Sequence, residues 1–142
     1  MATTFNKYQQ FAEDLGKGVH NFTAVANCTV TVALSNTAAD ADATKATLSQ
    51  ITQISYTNCS SRVVTGITWE HTTGTAHMTA TDLVLTAGPA AMPAFQYVIL
   101  YNDDPTSPAD PLIGWYDYGS ALTLQIGETL TLDFATDILT IA

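Results

Sequence analysis

Residues 94 to 142 leave this chain few folds to choose from. In AFQYVILYNDD, Phe95, Tyr97, Ile99 and Tyr101 alternate with Gln96, Val98 and Leu100. Both registers are largely apolar, which is the pattern of a strand buried on two faces. Further on, Leu122, Leu124 and Ile126 alternate with Ala121, Thr123 and Gln125, and Leu130, Leu132 and Phe134 with Thr129, Thr131 and Asp133. The link Ile126-Gly127-Glu128-Thr129 is short and carries a glycine, a hairpin signal. The block predicts β architecture and contains no catalytic motif.

The upstream chain extends the same reading. Cys28, Val30, Val32 and Leu34 alternate with threonines and alanine, predicting a half-buried strand over Asn27 to Leu34. Arg62 to Trp69 and Ala76 to Thr86 are further strand candidates, with Thr72-Thr73-Gly74 a turn between strands. Leu48, Ile51 and Ile54 recur every third residue, which suits a short helical turn. AGPAAMPA at 87 to 94 reads as a loop. At the N-terminal end, Phe5, Tyr8, Phe11, Ala12 and Leu15 keep helical spacing, Thr3 or Thr4 can cap, and Gly16 and Gly18 supply a stop. The prediction is a mainly β chain: an antiparallel β-sandwich, jelly-roll-like, or a barrel of roughly seven to nine short strands. It forms a single domain over 1–142, with an N-terminal helix at 3–16 and the sandwich at 21–142.

Composition removes whole classes of function. Hydrophobic residues at 46% with charged residues at 12% exclude a disordered chain. Net charge is −9, and the four cations, Lys7, Lys17, Lys45 and Arg62, are scattered. Phosphate binding needs clustered cations that displace counterions, so neither direct nucleic-acid binding nor an anionic membrane is expected. No apolar run reaches bilayer-spanning length, and the opening stretch lacks a signal-peptide pattern. A chain that is made and stays in a cytoplasm, or is released by lysis, is expected, and in a reducing compartment Cys28 and Cys59 are expected as free thiols.

Side chains that could carry chemistry do not group. His20, His71 and His77 have no metal-ligand spacing. Asp103, Asp104 and Asp110 share one loop, but its three prolines and its spacing suit a rigid turn better than a calcium site. Asp117 and Asp133 could be drawn as a glycosidase pair, with nothing to fix their separation. Trp115, Tyr116 and Tyr118 could stack on sugars, or serve as core or interface anchors. No G-x-S-x-G elbow occurs. The sequons at Asn21, Asn27 and Asn58 are expected chance products of a chain rich in Thr and Asn. The expectation is no enzyme, no cofactor and no metal.

Taken together, FNKYQQFAEDLGKGVHNF, VTVALSNTA and YVILYNDDPTSPADPLIGWYDYGSALTLQIGETLTLDF resemble a family of small virion structural proteins of tailed bacteriophages. Those proteins look like capsid decoration, or cement, proteins. The signatures are Tyr101-Asn102-Asp103 and Gly114 to Gly119, and the stretch from Ala39 to Pro93 departs most from the family plan. The resemblance implies a non-enzymatic cement protein on the virion, bound to the outer face of the major capsid protein shell, commonly as a homotrimer. Residues that could form the assembly seam are Phe5, Tyr8, Phe11, Trp115, Tyr116 and Tyr118, each equally readable as intrachain core. The alternative is a tail or head-fibre component that binds host-surface glycans through the aromatic patch.

Overall fold

The two-sided apolar run at 95–102 becomes an inner strand of the largest sheet. The computed structural model describes residues 4–22 and 28–142. Its strands are β1 (Phe5–Lys7), β2 (Val30–Ser35), β3 (Thr68–Thr72), β4 (Thr75–Thr79), β5 (Leu83–Thr86), β6 (Phe95–Asn102), β7 (Leu112–Leu122), β8 (Thr129–Leu132) and β9 (Leu139–Ile141). One helix, α1 (Gln9–Gly16), lies near the N-terminal end, and short 3-10 turns occur at Ala38–Asp40 and Leu48–Gln50. The strands form three antiparallel sheets, ordered β1-β7-β6-β2, β3-β4-β9 and β5-β8. The chain is mainly β, as its patterning predicts, and no closed barrel forms among the described strands.

Both faces of the four-stranded sheet are covered, each by a different device. On one face Val30, Val32, Leu34, Val98, Leu100 and Ile113 meet Met78, Leu85, Leu132 and Leu139 from the two smaller sheets, a sandwich-like core. On the other face Ala33, Tyr97, Ile99, Tyr101, Leu112 and Trp115 pack with Tyr8, Ile51 and Leu48. Here the cover is irregular chain, pinned from within by Asp40. That carboxylate is fully buried and accepts from Ser35 Oγ at 2.5 Å, Lys45 Nζ at 2.7 Å and the Thr52 amide at 2.9 Å. The Tyr8 hydroxyl donates to the Asp40 carbonyl at 2.9 Å. A buried charge is tolerable only with such partners.

The N-terminal segment corrects the expected helix over 3–16. Phe5–Lys7 is a strand on the edge of β7, with Phe5 opposite Tyr116 and Lys7 opposite Gly114. The helix starts only at Gln9, after an extended Tyr8 that makes no side-chain cap bond; Thr3 lies outside the described residues. The cause is Gly114. A side chain there would stand 2.5 Å from the Asn6 carbonyl and closer still to the Phe5 ring, so the glycine's bare face is what lets β1 dock. The apolar stripe is consequently split: Phe5 and Phe11 join one core face and Tyr8 the other.

Two more expectations change. The Ile126–Thr129 turn forms, with Glu128 bonding back to Gln125 and Gly127 at φ 81°. The strands it joins go to different sheets, β7 to β6 and β8 to β5, so it is not a hairpin, and Ile126 is left exposed. Arg62 to Trp69 is not one strand either: Val63 bridges Thr31 beside β2, and regular pairing starts at Thr68. The expected strand over Ala76–Thr86 is likewise broken into β4 and β5. Between β3 and β4, Thr73 and Gly74 both take positive φ, the geometry of a tight two-residue hairpin. Asn27, the expected start of the first strand, lies outside the described residues.

Candidate functional site

Four of the six aromatic side chains named for an assembly seam are intrachain core. Tyr8 and Phe11 are fully buried, and Trp115 and Tyr116 retain only 8% and 6% exposure. Tyr8 tilts against Trp115 at 4.6 Å between ring centres, and Phe5 meets Tyr116 edge-on at 5.1 Å. Burial raises the Tyr8 hydroxyl's pKa, helped by the negative charges of Asp40 and Asp42, and carries that of Tyr116 to about 12. Of the six, Tyr118 alone is exposed, at 41%, with Val84 and Ile126 the other well-exposed apolar side chains of the C-terminal half.

The carboxylates drawn as a catalytic pair act as local braces. Asp117 accepts from Gln96 Nε2 at 2.9 Å and the Gly119 amide at 2.8 Å, and Asp133 accepts from the Ala135 amide at 2.7 Å. The proline loop is also tied down. Asp104 receives the Thr29 amide, Asp103 donates its amide to the Thr29 carbonyl, and Asp110 folds back on the Pro105 carbonyl. Burial and the neighbouring Asp103 raise the pKa of Asp110 above the usual carboxylate range. Among the described residues, no group of three His, Cys, Asp or Glu side chains is arranged to hold a metal ion. No helix among them is long and apolar enough to cross a membrane.

Cys28 and Cys59 are free thiols, each half-buried. Burial, and then the Asp104 charge, push the Cys28 thiol up to about 12, and burial raises Cys59. Thiols of that kind are poor nucleophiles. Asn58 of the one sequon lying wholly within the described residues spends its amide on the Ala91 carbonyl at 3.0 Å.

Two polar constellations escaped the sequence reading. The first is a groove of about 310 Å³ on the outer face of β3-β4-β9, lined by Thr68, Glu70, His77, Thr79, Thr136 and Asp137 among others. Register places Glu70 and Thr140 on either side of His77. His77 Nδ1 lies 3.2 Å from Asp137 Oδ1, and the Thr68 and Thr79 hydroxyls share a bond of 2.6 Å. Only strand pairing brings 70, 77 and 137 together, so no spacing in the sequence announces them. The second is interior. His20, 5% exposed, lies between Phe11 and Phe22 beside Asp14, which is 3% exposed. Burial holds the imidazole's pKa down to about 4, against the opposing pull of Asp14.

Comparison of the chain with models of protein families, with curated proteins and with solved structures finds no match.

Proposed function

We propose that this chain is a non-enzymatic structural protein of a bacteriophage virion, a capsid decoration protein. In this reading it binds the outer surface of the major capsid protein shell, as a homotrimer, and stabilises the head. The carrying observation is where the signature residues lie. Gly114, Trp115 and Tyr116 close the central sheet, and Asn102 is fully buried beside His20. The motifs behind the phage resemblance are thus used for a stable scaffold, and the side chains drawn as catalytic are spent on turns. A cement protein needs nothing more than such a scaffold and a surface, because it adds stability by mass action across the subunits it contacts.

The assembly seam moves accordingly. With Tyr8, Phe11, Trp115 and Tyr116 inside the chain, the large apolar side chains left exposed for a neighbour, among the described residues, are Val63, Val84, Tyr118 and Ile126. The glycan-binding alternative loses its support, since an aromatic platform needs exposed ring faces and Trp115 and Tyr116 offer almost none.

Particles with and without this protein test the reading. Complete heads should survive heat and chelation that empty the deficient ones. Equal survival, or absence of the chain from purified heads, refutes it. In solution a mass three times the 15.1 kDa of one chain is expected, and a stable monomer counts against the trimer.

A further inference from the structure

The His20 imidazole is built into the core in a form that cannot take up a proton without losing its bond to Asn102. Its ring stacks on Phe22 at 5.5 Å and 7°, leans on Phe11 at 5.0 Å, and Phe22 in turn stacks on Trp69 of β3 at 5.3 Å. At the far side of the ring, Nδ1 lies 3.3 Å from Asn102 Nδ2 at the end of β6. The orientation of that amide is fixed from outside, because Asn102 Oδ1 accepts the Asp104 amide at 3.3 Å. An amide nitrogen only donates, so Nδ1 must be the acceptor and the ring proton must sit on Nε2. A second proton on Nδ1 would set donor against donor. Turning the amide to relieve this would break the Asp104 bond.

We propose that His20 is an acid-operated latch that holds the segment Gln9–Phe22 on the core and releases it as a unit when the imidazole is protonated. The segment is suited to local release. It carries Phe11 and Phe22, and its polypeptide runs through Gly16 and Gly18, around which a side chain would meet nothing. The rest of the molecule is closed by sheet pairings in which the segment takes no part. The groups facing His20 set the sign. From α1 comes the carboxylate of Asp14, whose charge favours the imidazolium. From β6 comes the neutral amide of Asn102, and from β3, behind Phe22, the indole of Trp69. Lys17 and Glu13 pair with each other on the exposed side of the helix. Burial outweighs Asp14 and keeps the docked ring neutral down to about pH 4, whereas a released imidazole titrates at its ordinary value of 6.5. Between those values the released state binds the extra proton, so acid drives release and alkali reverses it. Linkage puts the rise in the release constant, relative to pH 7.5, at about 30-fold by pH 5 and a few hundred-fold at saturation. This holds whether or not the chain sits on a virion.

Hydrogen exchange of the full chain, read segment by segment at pH 7.5 and pH 5.0 after correction for intrinsic rates, tests the latch. Protection of Gln9–Gly16 should fall about 30-fold, while β6 and β7 keep theirs. His20→Phe retains an aromatic ring with nothing to titrate and should abolish the difference. If that variant fails to fold, NMR titration of the wild-type His20 ring decides, with a midpoint near 4 supporting the latch. Unchanged helix protection, equal loss across all strands, the same pH response in His20→Phe, or a ring midpoint at 6.5 would each overturn it.

Discussion

Replacing Gly114 by alanine is the sharpest test of how the central sheet is closed. One methyl group would be added where β1 pairs with β7, 2.5 Å from the Asn6 carbonyl and closer to the Phe5 ring. A phenyl ring can rotate, but the carbonyl belongs to a paired strand and cannot withdraw alone. β1 must therefore lift. The half-buried Phe5 would then surrender apolar area on the order of 100 Å², worth about 2.5 kcal/mol. Loss of the strand's ladder bonds adds about 1 kcal/mol, for a total of about 3.5 kcal/mol. Urea denaturation of the two proteins side by side gives the difference directly, with an unchanged m-value expected. Gly16→Ala is the matched control. A methyl there meets nothing within 4 Å, and alanine in a helix should be neutral or stabilising by up to about 1 kcal/mol. A Gly114→Ala cost below about 0.5 kcal/mol would show that β1 does not depend on that bare face.

Three further outcomes follow from the buried groups. Asp40→Ala strands Lys45, Ser35 and the Thr52 amide, and should cost about 3–5 kcal/mol in the same denaturation assay. Burial works to raise the Asp40 pKa, but these partners outweigh it and hold the carboxyl below its ordinary range. Its contribution is thus complete above the unfolded carboxyl pKa, lost as pH falls through the folded one, and absent from the variant's acid titration. Trp115→Ala should cost about 3–5 kcal/mol as a core truncation and leave glycan-array signals unchanged; saturable sugar binding that disappears with the ring would restore the rejected platform. Cys28, with its thiol near 12, should resist iodoacetamide at pH 8 in the folded protein and react once urea unfolds it, and equal labelling rates would contradict its placement.

Periodicity revealed strands where one residue type repeats on one face. β6 and β2 were legible because Val32, Leu34, Val98 and Leu100 alternate cleanly over the length they pair. It failed where pairing across the fold overrides local pattern. Phe5, Tyr8 and Phe11 keep helical spacing, yet Phe5 is captured by a strand edge through a glycine more than a hundred residues away. The same holds for the candidate sites. Aromatic residues named for a surface proved to be core because composition cannot tell an anchor facing a neighbour from one facing its own sheet. The His77–Asp137 pair and the Asn102 contact of His20 exist only through tertiary placement.

The order of the central sheet, β1-β7-β6-β2, also dictates when the protein can come into being on the ribosome. β2 waits for β6, and β1 waits for β7, whose partner residues come more than a hundred positions later. At roughly 5–20 residues per second, the earliest segments spend seconds exposed with their apolar sides unpaired. Nothing upstream of residue 95 can complete the sheet by itself. The central sheet therefore closes only once β7 has been made, and a nascent chain stalled before it is a client for chaperones rather than a smaller version of the fold.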